Sequence, residues 1–249
     1  MIPHLMMAAA LAAGPTPVPV AANPGYAMPS VAAVFASPTA TQHGCSGAVL
    51  DSPTGSLVVT AAHCVSDRGT GLRVVPGYSR GRAPYGTWAV TAAYVDPGWQ
   101  ATADPHRDLA VLRVGTHLVG GRVRTLAGTV GGYHLGEAPA SGAELRGYGY
   151  VAGSGDQAVG CVNAITLTNG YPTFPCGEMW GGVSGTALTS AGADGSKTVR
   201  GVIGGLHEGG CYPDVSYSSP FGAWSTQLVQ RASAGGPGDV VRNPVGDGC

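Results

Sequence analysis

The stretch Leu57-Val58-Val59-Thr60-Ala61-Ala62-His63-Cys64 constrains this chain more than any other. Its β-branched start reads as a buried strand, and its small residues let the backbone turn tightly just before a histidine and a cysteine. An imidazole fixed at the end of a packed strand is well placed to take a proton from a neighbouring hydroxyl. Composition bounds what surrounds that strand. The 249 residues include 42 glycines and 19 prolines, and only 11% are charged, which fits short strands joined by many turns better than helices. The expectation is an all-β chain forming one large domain or two small lobes.

Two later segments supply the chemistry that His63 needs. Asp108-Leu109-Ala110-Val111-Leu112 sets a carboxylate at the mouth of a continuous apolar strand, and Gly181-Gly182-Val183-Ser184-Gly185-Thr186 sets a hydroxyl in a glycine-dense loop. Together they give an orienting carboxylate, a base and a nucleophile in the chain order His, Asp, Ser. Asp104 competes with Asp108 but precedes Pro105 in a turn-like run, and His106 and Arg107 read as loop residues. The glycines around Ser184 suit an oxyanion site, because its donors are backbone N–H groups that side chains would obstruct; Gly182 and Ser184 are the candidates. The strand-turn-helix motif Gly-x-Ser-x-Gly is not met, since Thr186 stands where its last glycine belongs.

Six cysteines, an even number, point to an oxidising compartment. Ala48-Val49-Leu50 and Ser56 to Thr60 form a hairpin about Asp51 to Gly55 that brings Cys45 to Cys64. Val162 to Leu167 and Tyr171 to Phe174 form another about Asn169-Gly170, which favours Cys161 with Cys176 and leaves Cys211 with Cys249. No Cys-x-x-Cys or Cys/His pair stands at metal spacing, so neither a metal nor another cofactor is expected.

Cys45-Ser46-Gly47, Thr60 to Cys64, Asp108-Leu109-Ala110 and, in part, Gly182 to Gly185 resemble the trypsin/chymotrypsin-like serine peptidases. Val74-Val75-Pro76-Gly77-Tyr78, Pro84-Tyr85-Gly86-Thr87-Trp88, Val95-Asp96-Pro97 and Gly201-Val202-Ile203-Gly204-Gly205 look like the secreted trypsin-like proteases of actinobacteria. The resemblance covers roughly residues 40 to 232. It implies two antiparallel six-stranded β-barrels with the active site in the cleft between them, His63 and Asp108 from the first and Ser184 from the second. It also offers Cys176–Cys211 as a rival bridge. The chain departs from the family loop at Val183, where an aspartate usually pairs with a freed N-terminus, and at Thr186 and Ala187, where Gly-Pro is usual. By analogy the pocket for the side chain preceding the cleaved bond is drawn from Glu178-Met179-Trp180 and from Gly204, Gly205 and Leu206, with His207 and Glu208 at its rim as the other reading. Glu178 would favour Arg or Lys, His207 would favour acidic side chains, and the choice stays open.

Residues 5 to 14 are an apolar run suited to a signal-peptide core, with cleavage after Ala22; a disordered apolar tail is the other reading. The expected organisation is a signal peptide over 1–22, an N-terminal extension over 23–39, a first barrel over 40–117 and a linker over 118–129. A second barrel with a short C-terminal helix from Phe221 to Ala232 occupies 130–232, and an irregular tail follows over 233–249. The thirteen basic residues are scattered and net charge is −1, so no nucleic-acid partner is expected, and no later run is long enough to anchor the mature form in a membrane. These readings converge on a secreted, monomeric serine endopeptidase acting on protein or peptide substrates through an acyl-enzyme. An inert protease-like binding module and a serine esterase are the alternatives.

Overall fold

The computed structural model describes residues 19–20, 23–24, 28–119, 121–153, 155–179 and 181–243. The expected signal-peptide core and Cys249, with its expected bridge to Cys211, lie outside the described residues.

The first lobe is a closed barrel of β1 (Val31–Phe35), β2 (Cys45–Val49), β3 (Leu57–Thr60), β4 (Arg73–Pro76), β5 (Trp88–Val95) and β6 (Ala110–Val114), in the order β1-β2-β3-β6-β5-β4. β1 was expected in the N-terminal extension. The run Val-Ala-Ala-Val-Phe is instead buried throughout and pairs with both β2 and β4, closing the barrel. β5 begins with strict alternation, Trp88 and Val90 inward and Ala89 and Thr91 exposed. A bulge between Val90 and Ala92 then shifts the phase, so Ala93 and Val95 join the barrel interior while Ala92 and Tyr94 face the second lobe.

The second lobe is built from β7 (Glu144–Tyr150), β8 (Ala158–Ala164), β9 (Tyr171–Pro175), β10 (Ala187–Ala191), β11 (Lys197–Val202) and β12 (Val215–Tyr217). Its hydrogen bonding divides into two sheets rather than one closed six-stranded ring. One runs from Asn23–Pro24 through β8, β7, β10 and β11 to His134–Leu135, and the other joins Thr166–Thr168, β9 and β12. The bridge between Ile203 and Ser218 ties the sheets together just beyond β11 and β12. His134–Leu135 pairs with β11 in parallel, an exception to the antiparallel pattern. Thr168 pairs with Tyr171 across Asn169-Gly170, both at positive φ, as a two-residue hairpin requires.

The expected linker holds structure of its own, a hairpin of His117–Val119 with Arg122–Arg124 and a short helix, Leu126–Val130. The C-terminal helix, expected from Phe221 to Ala232, runs Ala223–Ala234 and buries Ser225, Leu228 and Ala232, while Ala223 is exposed. Spacing explains the choice: residues 225, 228 and 232 share one helical face and 223 does not. That face closes an apolar layer between the lobes with Leu57, Val59, Tyr94, Val111, Tyr133 and Val202. No helix among the described residues is long and apolar enough to cross a membrane.

Candidate active site

β3 delivers His63. In register, Thr60 lies opposite Ala110, so the chain leaving β3 and the chain entering β6 meet at one end of the barrel. Beyond Thr60 the backbone tightens into a single 3-10 turn, Ala62–Cys64, and the Cys45–Cys64 disulfide ties that turn to β2. Closing a loop of this length contributes about 3 kcal/mol by restricting the unfolded chain.

Asp108 stands two residues before Ala110 and is fully buried. Its Oδ2 lies 2.8 Å from His63 Nδ1 and accepts from Gly205 N–H at 2.7 Å, and its Oδ1 accepts from the His63 backbone N–H at 3.0 Å. Three N–H donors on one carboxylate offset the desolvation that burial imposes. The Asp108 N–H donates to Ser219 Oγ at 3.0 Å, and that hydroxyl donates to Pro105 O at 2.8 Å. Asp104, the competing carboxylate, caps the turn at Pro105–Arg107 and pairs with His106. His106 also reaches the Tyr171 hydroxyl, at 3.1 Å.

The Ser184 loop leads into β10 and packs against the end of β3, where a Cβ on Gly185 would lie 2.9 Å from Ala61 N. The four carbonyls from Gly181 to Ser184 are engaged. Gly181 O accepts from Ala152 N–H, Gly182 O from the Ser46 hydroxyl, Val183 O from Thr186 N–H, and Ser184 O from Ser46 N–H, at 2.7, 2.9, 2.8 and 2.7 Å. In a planar peptide the N–H points opposite to the C=O. Anchoring Gly181 O and Val183 O therefore turns the Gly182 and Ser184 N–H groups away from Ala152 and Thr186, and among the described residues neither has an acceptor. Gly182 sits at φ +92°, and a Cβ there would lie 2.8 Å from Tyr150 O, so glycine is required. Val183 is buried with Met179, Ile203 and the Cys161–Cys176 bridge, which excludes the rival Cys176–Cys211 pair. Thr186 is also buried, and its backbone pairs both ways with its surroundings.

A cavity of about 230 Å³ opens beside Ser184, walled by Met179, Val183, Ile203, Val215 and Ser216, with exposed Glu208 and Tyr212 also lining it. Of the residues expected there, Met179 and Glu208 line this cavity, whereas Glu178, which is exposed, and Gly204, Gly205, Leu206 and His207 do not; Trp180 lies outside the described residues. Gly204 and Gly205 lie behind Asp108 instead, where a Cβ on Gly204 would come 2.8 Å from Oδ2. Leu206 and His207 belong to the turn after them and are not part of the cavity wall. The reason is backbone path, since His207 and Glu208 both take positive φ and swing the chain around. Ser46 enters the sequence reading only within the Cys45-Ser46-Gly47 match, with no role of its own, and Ser219 does not enter it; both are buried serines whose partners lie far along the chain.

One group of potential metal ligands occurs among the described residues, Cys45, His63 and Cys64. The two sulfurs are bonded to each other and the imidazole is paired with Asp108, so this donor set does not suit a metal ion.

A family model described as Trypsin matches residues 20–205. The solved structure of the protease Anisep from Arthrobacter nicotinovorans is similar with a TM-score of 0.73 at 23% identity, over 86% of this chain and 100% of that one. A thermostable serine protease, AL20, from an extremophilic microorganism is similar with a TM-score of 0.69 at 25% identity, over 83% and 97%. The extracellular metalloprotease of Bacillus subtilis is 27% identical over 150 residues, which make up 57% of this chain and 38% of that protein. The match thus spans well under half the length of that relative.

Proposed function

The chain belongs to the trypsin family of serine endopeptidases, and from that premise we propose that Ser184, His63 and Asp108 are its nucleophile, base and orienting carboxylate. The observations that support this reading are the carboxylate of Asp108 held on both the ring and the backbone of His63, and a Ser184 loop packed at Gly185 against Ala61, whose Gly182 and Ser184 N–H groups have no acceptor among the described residues. In the proposed cycle Ser184 Oγ attacks the substrate carbonyl carbon and its proton passes to His63 Nε2. The oxyanion takes hydrogen bonds from Gly182 and Ser184 N–H, each worth about 3 kcal/mol in the transition state. Collapse expels the leaving amine, which takes the proton from His63. Water then attacks the acyl-enzyme by the same route and frees the acid.

The apolar wall of Met179, Val183, Ile203 and Val215, with Glu208 the one charged lining residue among those described, supports preference for an apolar side chain before the cleaved bond. Two disulfides support action outside the cell, and membership of the family supports protein or peptide substrates. The formed Ser184 loop, with Val183 and Thr186 packed rather than displaced, speaks against an inert module.

Ser184→Ala tests the assignment. Turnover of a peptide library should fall by at least about 10⁴-fold, and an alkyl fluorophosphonate should label the native protein and not the variant. Retained turnover in the variant overturns the assignment.

A further inference from the structure

Ser46 is engaged at every polar atom and has no exposed surface. Its hydroxyl donates to Gly182 O at 2.9 Å and accepts from Tyr150 N–H at 2.8 Å. Its backbone N–H donates to Ser184 O at 2.7 Å, and its carbonyl accepts from the Thr60 hydroxyl at 2.7 Å. The residue belongs to β2 of the first barrel, yet three of these bonds reach into the second lobe, two of them to the loop that carries the nucleophile.

We propose that the Ser46 hydroxyl is a positioning group for the oxyanion site, holding the Gly182 peptide so that the Gly182 and Ser184 N–H groups converge on the cleft. A glycine at φ +92° is intrinsically free to rotate, so the orientation of the planes on either side of it must come from elsewhere. The plane after Gly182 is held by the Ser46 hydroxyl. The plane before it is held by Ala152 N–H on Gly181 O, and Ala152 lies two residues beyond Tyr150, which the same hydroxyl anchors. Loss of the hydroxyl leaves a buried carbonyl and a buried N–H without partners at once, and rotation of Gly182 is the easiest relief.

Strand geometry explains why this duty falls on residue 46. Successive side chains on a strand point to opposite faces. On one face, Cys45 is bonded to Cys64 and so fixes the turn holding His63; on the other, Ser46 fixes the loop holding Ser184. Two adjacent residues of one strand thus set the spacing of base and nucleophile, which come from different lobes.

The inference rests on Ser184 as nucleophile, and the test keeps the two claims apart. A peptidyl trifluoromethyl ketone is bound to the native protein, Ser46→Ala and Ser46→Thr, and ¹⁹F resonances are followed with pH. Ser184 Oγ adds to the ketone carbon, its proton passes to His63, and the hemiketal oxygen occupies the oxyanion site. In Ser46→Ala the pKa of that oxygen should rise by about one unit or more, the mark of weakened donors. kcat should fall about 10–100-fold with KM little changed, as expected when the reacting geometry loosens. Ser46→Thr should restore both readouts. Thr189→Val, which removes a buried hydroxyl bonded to Arg146 O elsewhere in the second lobe, should leave the hemiketal pKa unchanged. If Ser46→Ala does not fold, Ser46→Cys, a weaker donor of similar size, carries the same measurement with a smaller expected shift. An unchanged hemiketal pKa in a folded Ser46 variant overturns the role of Ser46 alone. Failure of the native protein to form the adduct removes the nucleophile assignment and the inference with it.

Discussion

One carboxylate grips His63 twice: Asp108 Oδ2 lies 2.8 Å from the ring Nδ1, and Oδ1 lies 3.0 Å from the backbone nitrogen of the same residue. A third N–H, from Gly205, shares Oδ2. Both oxygens therefore face donors, a demand that an amide cannot meet. In Asp108→Asn the NH₂ must oppose either the His63 backbone N–H or the Gly205 N–H. Where it faces Nδ1, it also forces the imidazole proton onto Nε2, the nitrogen proposed to accept from Ser184. The expected result is a fall in kcat on the order of 10³–10⁴-fold with KM nearly unchanged. Steady-state kinetics on a good peptide substrate check it, and a loss confined to KM would contradict the orienting role.

What was legible in the sequence was local. Thr60 to Cys64 and Asp108 to Ala110 each carry a strand end and a polar residue in a few positions, and antiparallel pairing of β3 with β6 is enough to bring them together. Cys161–Cys176 followed from the Asn169-Gly170 turn, because a two-residue hairpin fixes register. β1 was missed because Val-Ala-Ala-Val-Phe is buried on both faces and shows no alternation to read. Met179 and Glu208 were legible as pocket residues, but the absence of Leu206 and His207 from the wall was not, because positive φ at His207 and Glu208 is invisible in residue identity. Ser219 was not legible at all, since its bond to Asp108 N spans 111 positions.

His43 gives the fold a pH dependence. Its ring is buried against Phe35, Tyr78 and Tyr150, at centroid distances of 6.2, 6.3 and 5.6 Å, and its Nδ1 has no hydrogen-bond partner among the described residues. Burial holds its pKa below the ordinary 6.5, with the negative charge of Asp156 acting weakly in the opposite direction. The folded protein therefore keeps His43 neutral while the unfolded chain takes up a proton as pH falls below about 6.5. Stability from this residue is present above that pH and is lost on acidification toward the depressed folded pKa, at about 1.4 kcal/mol per unit of depression. Calorimetry between pH 5 and 8 should show a falling midpoint on the acid side. His43→Phe should flatten that slope, and an identical slope in the variant would assign the dependence to other groups.

The segment after the C-terminal helix, expected to be irregular, is docked along the first barrel. Tyr94 Oη donates to Gly236 O at 2.9 Å, and Asp239 accepts from Val95 N–H and pairs with Arg231. Val241, 2% exposed, bridges Asp67, and Asn243 donates to His63 O at 2.8 Å. The tail thus closes over the turn that carries the proposed base. Val241→Ala should cost about 2 kcal/mol through the cavity it leaves, measured by denaturant unfolding. Asn243→Ala removes one partly solvated hydrogen bond and should cost no more than about 1 kcal/mol, so its effect should be read in kcat rather than in the unfolding midpoint. Equal stability losses for the two would contradict this division.

Val183 is where the family pattern and this chain part most sharply. The side chain is 6% exposed and packs with Met179, Ile203 and the Cys161–Cys176 bridge, all apolar or uncharged. Restoring the family's aspartate by Val183→Asp therefore buries a carboxylate with no cation among these neighbours. The protein must hold it protonated or let the loop move out to water, and either path acts on the peptide that joins Gly182 to Ser184. At neutral pH the variant should lose about 3 kcal/mol or more of stability and most of its turnover. The carboxyl would be raised above its unfolded value in the fold, so the deficit should be full at neutral pH and shrink as pH falls toward the ordinary carboxylate range near 4. Val183→Thr, equal in shape and uncharged, should retain the fold at a smaller cost. Unfolding midpoints and kcat from pH 4 to 8 decide the matter: full stability and turnover in Val183→Asp at neutral pH would mean that a cation reaches residue 183, and that an apolar plug is not what holds the nucleophile loop.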